Sequence, residues 1–110
     1  MKVLDLTANE KASIRYVMPG EITLDVLTPT KATKDLFSSL GEALIRVGKK
    51  QGTDEDIENI FGTTALILSR NKQGKTFTKN ELENMFDTDD VVNILLAYAD
   101  FLTETIKSKN

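Results

Sequence analysis

The chain has 110 residues, a length that suits one domain with a single hydrophobic core. It contains neither cysteine nor histidine, which excludes disulfides, thiolate chemistry and the most common general base and metal ligand. Its net charge of -3 repels a phosphate backbone, so the composition argues against nucleic acid as a partner.

Hydropathy indicates a globular protein and no membrane partner. Hydrophobic residues make up 40% of the chain and charged residues 28%, and no apolar run approaches the roughly 20 residues of a membrane span. Asp5 falls inside what would be the apolar region of a signal peptide, and no small-residue cleavage site follows. We therefore expect a soluble protein that is not secreted.

Residues 12–27 alternate between apolar and polar, which predicts a β-hairpin with a turn at Pro19-Gly20. A two-residue loop would place Met18 opposite Glu21 and pair apolar with polar positions throughout. A three-residue loop ending at Glu21 pairs apolar with apolar positions instead, and we choose that register. It predicts three cross-strand pairs: Met18 with Ile22, Tyr16 with Leu24, and Ile14 with Val26. Val3 to Leu6 could add a third strand.

After residue 30 the apolar period changes from two to about 3.6, which predicts a first helix. Thr28 or Thr30 is its N-cap, and it ends near Gly48 or Gly52. Its apolar stripe contains Leu36, Phe37, Leu40, Ala43, Leu44 and Val47.

A second helix is predicted to start at Thr53, where a capping residue precedes the acids of residues 54–56, and to end near Arg70 and Lys72. Gly62, inside this helix, either lets another helix approach closely or is merely tolerated, and we favour close approach. The apolar face contains Ile57, Ile60, Phe61, Leu68 and their neighbours.

Two further helices follow. Residues 78–81 form a capping box that opens a short helix ending at Asp87, with Leu82, Met85 and Phe86 on its inner side. Asp87 or Thr88 then caps a final helix whose first turn is acidic.

Strands first and helices after predict an α+β fold. We expect one domain over residues 1–110. An N-terminal antiparallel β-hairpin of two or three strands (residues 1–28) packs on a C-terminal bundle of three to four helices (residues 29–110).

Residues 69–76 come within one residue of a phosphate-binding loop, with Ser69 where the first glycine belongs. The segment leaves a helix rather than a strand, so we interpret it as a basic interhelical turn. It also resembles a calcium loop, but aligning Glu81 as the last ligand puts Arg70, Lys72 and Gly74 where oxygen ligands belong. Glu81 is better explained as a capping residue.

Acidic clusters at residues 54–58 and 87–90 could hold magnesium or act as paired catalytic carboxylates. Both lie in first helical turns, where acids stabilise the positive end of the helix dipole, and we favour that structural role. We therefore predict no catalytic residue, no metal and no cofactor, and expect that the protein is not an enzyme.

The final helix is the best candidate for a binding surface. Between residues 91 and 102 its only strongly polar residues, Asn93 and Asp100, are seven positions apart and share one narrow stripe. The remaining surface is more apolar than one neighbouring helix can cover, and aromatic residues are common both in cores and in interfaces. We predict mixed core and interface roles for Ile94, Leu95, Tyr98, Phe101 and Leu102.

The order of parts resembles a known family. The hairpin ends in Leu-Thr-Pro-Thr at 27–30, the turn at 71–75 reads Asn-Lys-Gln-Gly-Lys, a short capped helix follows at 77–82, and the terminal helix spans 91–106. This layout is similar to the small tail assembly chaperones, and related tail proteins, of long-tailed bacteriophages and prophages of Gram-positive bacteria.

The resemblance implies a non-enzymatic protein of the host bacterial cytoplasm. Members of the family bind the tape measure protein, a long helical chain, and keep it soluble until tail-tube subunits polymerise around it. The resemblance further implies self-association and contact with the client through apolar positions of the terminal helix or the hairpin face.

Two other functions are compatible with the same residues. One is a structural virion component such as a head-tail connector or tail-completion protein, and the other is a small regulatory adaptor that binds a host protein. A chaperone is expected to be absent from purified virions, whereas a structural component is expected to remain in them.

Overall fold

The computed structural model describes residues 11–108, with side chains through residue 105. Its elements follow the chain in the order strand, strand, then helices, which confirms the α+β class. They are β1 (Ser13–Met18), β2 (Ile22–Leu27), α1 (Lys31–Ser38), α2 (Gly41–Gly48), α3 (Asp54–Leu68), α4 (Lys79–Met85) and α5 (Thr88–Ser108).

The predicted hairpin register is confirmed at all three pairs. Met18 lies opposite Ile22, Tyr16 opposite Leu24, and Ile14 opposite Val26. Gly20 and Glu21, in the three-residue loop, both have positive φ angles, 83° and 61°. This loop therefore keeps the three predicted apolar pairs on one face of the hairpin, and that face packs on the helices.

The third strand predicted at residues 3–6 lies outside the described residues. On the other side of the hairpin, the segment after α3 pairs with β2. Asn71 forms a β-bridge with Val26, and the backbone N–H of Leu27 donates to the carbonyl of Arg70 at 2.9 Å. The interhelical turn thus extends the hairpin along its β2 edge.

The single first helix predicted from a cap at Thr28 or Thr30 to an end near Gly48 or Gly52 is wrong, because the chain breaks between α1 and α2. The hydroxyl of Ser39 donates to the carbonyl of Leu36 at 2.6 Å, and the N–H of Leu40 bonds to the carbonyl of Phe37. A serine that satisfies the backbone locally and a tighter i to i-3 bond both favour ending a helix. The break accounts for the five helices found within residues 11–108, where three to four were expected.

The break also changes which apolar residues are buried. Leu40 is 4% exposed and belongs to the core, whereas Leu36 is 46% exposed. The prediction that Leu36 belongs to the buried stripe is therefore wrong. The N-cap prediction is confirmed at Thr30, whose side chain accepts a hydrogen bond from the N–H of Thr33.

The remaining helix starts agree with the sequence. Thr53 and Thr78 each form a capping box, with Asp56 and Glu81 respectively as the returning side chain. At the start of α5, Asp87 accepts a hydrogen bond from the N–H of Asp90 at 2.8 Å. Each box satisfies N–H groups that have no partner inside the helix.

The core lies between the hairpin and the helices, with α3 at its centre. This helix contacts the four other helices and β2. The fully buried side chains of α3 and α5 meet those of β2, and they include Leu24, Val26, Ile60, Ile67, Leu68, Val91, Leu95 and Tyr98. Across residues 11–108, no helix has both the length and the apolar character needed to cross a bilayer.

Candidate protein-binding surface

Two of the five predicted interface residues lie in the core. Leu95 and Tyr98 are fully buried. The hydroxyl of Tyr98 donates to the carbonyl of Leu27 at 2.9 Å, and its ring meets the edge of Phe37 with centroids 5.6 Å apart. These two side chains attach α5 to the rest of the fold and offer no free surface to a partner.

The other three predicted residues are partly exposed. Ile94, Phe101 and Leu102 are half-buried and pack against the core from its margin. The backbone carbonyl of Ile94 also accepts a hydrogen bond from the hydroxyl of Tyr16 at 2.8 Å. These three residues retain apolar surface that a partner could cover.

The polar stripe predicted on the final helix does face solvent, but it contains an apolar residue. Asn93 and Asp100 are exposed, and Leu96 lies between them and is 53% exposed. The exposure of Leu96 was not predicted, because a helix this apolar gives no periodic signal that separates an outward leucine from an inward one.

Large apolar side chains are also exposed on other elements. Leu36 on α1, Ile45 on α2 and Leu66 on α3 are 46%, 58% and 50% exposed, and Val17 on the outer face of the hairpin is 74% exposed. Single exposed apolar residues are common on protein surfaces. Those that border a concave surface are the better candidates for binding.

One such surface is a groove between α1 and the end of α3, with a volume of about 400 Å³. Leu27 and Leu66 supply its apolar part, and Thr30, Thr33 and Ser69 supply hydroxyl groups. Leu36 follows Thr33 by three residues on α1 and so lies on the same side of that helix. We refer to this concavity as the α1–α3 groove.

Arg70 also lines the α1–α3 groove and is half-buried. Its Nε donates to the carbonyl of Thr28 at 2.8 Å. Among the described side chains, no carboxylate lies within the 4.0 Å of an ion pair with this guanidinium. The groove therefore combines apolar walls, hydroxyl groups and a cation that forms no ion pair with any side chain the structure describes.

Tyr98 lies close enough to the groove for the charge of Arg70 to affect the pKa of its phenol. Burial raises the pKa of the Tyr98 phenol, and nearby Tyr16 raises it further, whereas the positive charge of Arg70 opposes the shift. The phenol consequently remains a neutral hydrogen-bond donor in the folded protein.

The turn that resembles a phosphate-binding loop is held by its own hydrogen bonds. The hydroxyl of Ser69 donates to the carbonyl of Ala65 and accepts from the N–H of Phe77. The side-chain amide of the buried Asn71 donates to the carbonyls of Leu68 and Lys75 and accepts from the N–H of Lys75. The loop geometry is thus determined by side chains that bond to the backbone within the turn.

Two of the acids at the start of α3 have structural partners. Asp56 accepts two hydrogen bonds from Arg46, at 2.8 and 2.7 Å, and Glu58 forms an ion pair with Lys79. Over the described part of the chain, no group of three or more acidic side chains is placed to hold a metal ion.

The comparisons with known proteins add no relative: no family model, no curated protein and no solved structure matches this chain. The resemblance to tail assembly chaperones therefore stays a prediction from the sequence layout.

Proposed function

We propose that this chain is a non-enzymatic phage tail assembly chaperone that binds and solubilises the tape measure protein during tail morphogenesis in the host bacterial cytoplasm. The observation that supports this best is the apolar surface left on the folded helices. Among the described side chains, four helices each present one large aliphatic residue to solvent: Leu36, Ile45, Leu66 and Leu96.

Weak, dispersed contacts suit a client that must be released. Covering the exposed half of one leucine contributes roughly 1 kcal/mol, so several such contacts give an affinity that is useful and reversible. A long helical client offers apolar side chains at regular intervals, and each can meet one of these positions. Tail-tube subunits that bury the same client surface more completely would then displace the chaperone.

The sequence supports a binding role over a catalytic one. The chain has no histidine and no cysteine, and the carboxylate of Asp56, the most buried of those described, already bonds to an arginine and a helix start. Self-association through the same apolar positions is part of the proposal, because one surface can protect another until the client is made.

Co-expression with the tape measure protein of the same phage or prophage tests the proposal. We expect the wild-type chain to raise the soluble fraction of that protein several-fold, and the double substitution Leu66→Gln with Leu96→Gln to remove most of the gain. Val17→Thr, on the outer face of the hairpin, is the matched control and is expected to keep it. No gain with the wild-type chain would contradict the proposal.

Purified virions give a second, independent measurement. A chaperone leaves before the tail is complete, so mass spectrometry is expected to find no stoichiometric amount of this chain. Its presence at a fixed copy number would instead favour a head-tail connector or tail-completion protein.

A further inference from the structure

We infer that the α1–α3 groove binds an acidic side chain of a partner protein together with the apolar side chain next to it. The inference rests on the proposed function only for the identity of that partner. It is carried by three features that meet at one place in the fold: a groove, a cation with no ion pair among the described side chains, and an exposed leucine.

Arg70 supplies the charge. Its Nε donates a hydrogen bond to the carbonyl of Thr28. Its terminal nitrogens Nη1 and Nη2 donate no hydrogen bond to any of the described residues. A guanidinium at the wall of a groove pairs well with a carboxylate, because its planar N–H groups match the two carboxylate oxygens. The first turn of α1, which borders the groove, contains no acid that could serve as an internal counter-ion.

The walls of the groove select the rest of the ligand. Leu66 is 50% exposed and lies with Leu27 on the lining of the groove, so a ligand gains by covering it. A volume of about 400 Å³ accommodates one or two side chains. None of the described lining residues is aromatic, so the groove offers no stacking surface for a base and favours a peptide over a nucleotide.

Two short capped peptides provide a matched test by NMR. Acetyl-glutamyl-leucine amide carries the acid and the apolar group, and acetyl-glutaminyl-leucine amide differs only in lacking the charge. We expect the first to shift the Nε–H signal of Arg70 and the amide signals of Thr33 and Ser69, with a Kd on the order of millimolar. The uncharged peptide is expected to bind about tenfold more weakly.

Substitutions assign the effect to the groove. Arg70→Gln is expected to abolish the difference between the two peptides, whereas Lys34→Gln, which removes an exposed cation from α1, leaves it unchanged. Thr33→Glu provides a second variant because it completes a capping box with Thr30 and places a carboxylate beside the groove. Thr33→Glu is expected to block binding of the acidic peptide. Thr33→Gln caps the helix without a charge and is expected to leave that binding intact.

Equal affinity for the two peptides would overturn the inference, as would persistence of the charge preference in Arg70→Gln or Thr33→Glu. Inorganic phosphate that shifts the same three signals as strongly as the acidic peptide would also overturn it, because the groove would then be a general anion site. The titration contains no tape measure protein, so its failure would leave the co-expression result standing. Failure of co-expression alone would change the partner and not the groove.

Discussion

Asp56 links two helices through one carboxylate. It receives both N–H groups of the Arg46 fork and the backbone N–H of Thr53. The hydrogen bond from Arg46, followed by the one from Thr53, holds the pKa of Asp56 well below its usual value near 3.8. A carboxyl group with a lowered pKa in the folded state stabilises that state above the pKa of the unfolded chain and loses this effect as the pH falls.

We therefore expect the free energy of unfolding to fall as the pH drops below about 4, and to fall less steeply in Arg46→Gln. Urea unfolding at several pH values between 2 and 7 measures both slopes. The comparison variant is Lys31→Gln, which breaks the ion pair between Lys31 and Asp35. Both side chains of that pair are mostly exposed, so water screens their attraction. An acid slope in Arg46→Gln equal to that of the wild type would contradict this role of Asp56.

Two glycines have opposite surroundings. Of the atoms the structure describes, a Cβ added at Gly62 would meet only the Cδ of Lys79, at 3.8 Å, which is ordinary van der Waals contact. A Cβ added at Gly52 would lie 2.5 Å from the Cγ2 of Val47 and 3.2 Å from its Cα. The sequence-based preference for close helix approach at Gly62 is therefore wrong, and Gly52 is the position that needs a glycine.

We expect Gly62→Ala to stabilise the protein by about 0.5 to 1 kcal/mol, because alanine loses less backbone entropy inside a helix. Gly52→Ala is expected to destabilise it by about 1 to 3 kcal/mol through overpacking against Val47. Chemical denaturation of the two variants beside the wild type measures both changes. Equal effects of the two substitutions would contradict the packing described.

Among the helix ends, that of α2 has an unusual residue in its capping motif. The N–H of Gln51 bonds to the carbonyl of Arg46, and the N–H of Lys50 bonds to that of Val47, the pattern of a Schellman motif. The left-handed position of this motif normally holds glycine, but here it holds Lys50 with φ of 60°. Gly48 and Gly52, which served to predict where this helix ends, lie on either side of the turn instead.

Lys50→Gly is expected to stabilise the protein by about 1 kcal/mol, because glycine adopts a positive φ without a steric penalty. Lys49→Gly removes the same charge at the preceding residue, where φ is -91°, and is expected to give no gain. Thermal unfolding of the two variants separates backbone strain from the loss of a lysine. A gain in both variants would point to charge instead.

At the scale of the whole molecule, two tyrosines attach the hairpin to α5. The hydroxyl of Tyr16 on β1 reaches the carbonyl of Ile94, and the hydroxyl of Tyr98 on α5 reaches that of Leu27. Burial raises the pKa of both phenols in the folded state. A phenol with a raised pKa stabilises the fold fully below the unfolded pKa near 10, and this contribution is lost as the pH rises beyond it.

We expect Tyr98→Phe to cost about 1 kcal/mol at neutral pH through the lost hydrogen bond. Above about pH 10 the wild type is expected to lose stability more steeply than the double variant Tyr16→Phe with Tyr98→Phe, which has no tyrosine to ionise. Urea unfolding at pH 7 and at steps from 9 to 11 measures the difference. Parallel declines in both proteins would show that the phenols do not contribute.

Some residues of the candidate binding surface could be predicted from the sequence, and others could not. Composition and the apolar character of α5 indicated a binding surface there, and Ile94, Phe101 and Leu102 do lie at the margin of the core. Leu95 and Tyr98 lie inside it. The α1–α3 groove was not predicted, because Thr33, Leu66 and Arg70 belong to separate segments whose proximity depends on how α1 and α3 pack.

The sequence by itself determined the features that depend on neighbouring residues. Strand register follows from alternation and loop length, and the starts of α1, α3, α4 and α5 follow from side chains that bond to N–H groups three residues later. The pairing of Asn71 with Val26, and the identity of the leucines that remain exposed, became visible only once the segments were packed together. These depend on contacts between distant segments, where the free energy of packing exceeds the small differences in local preference.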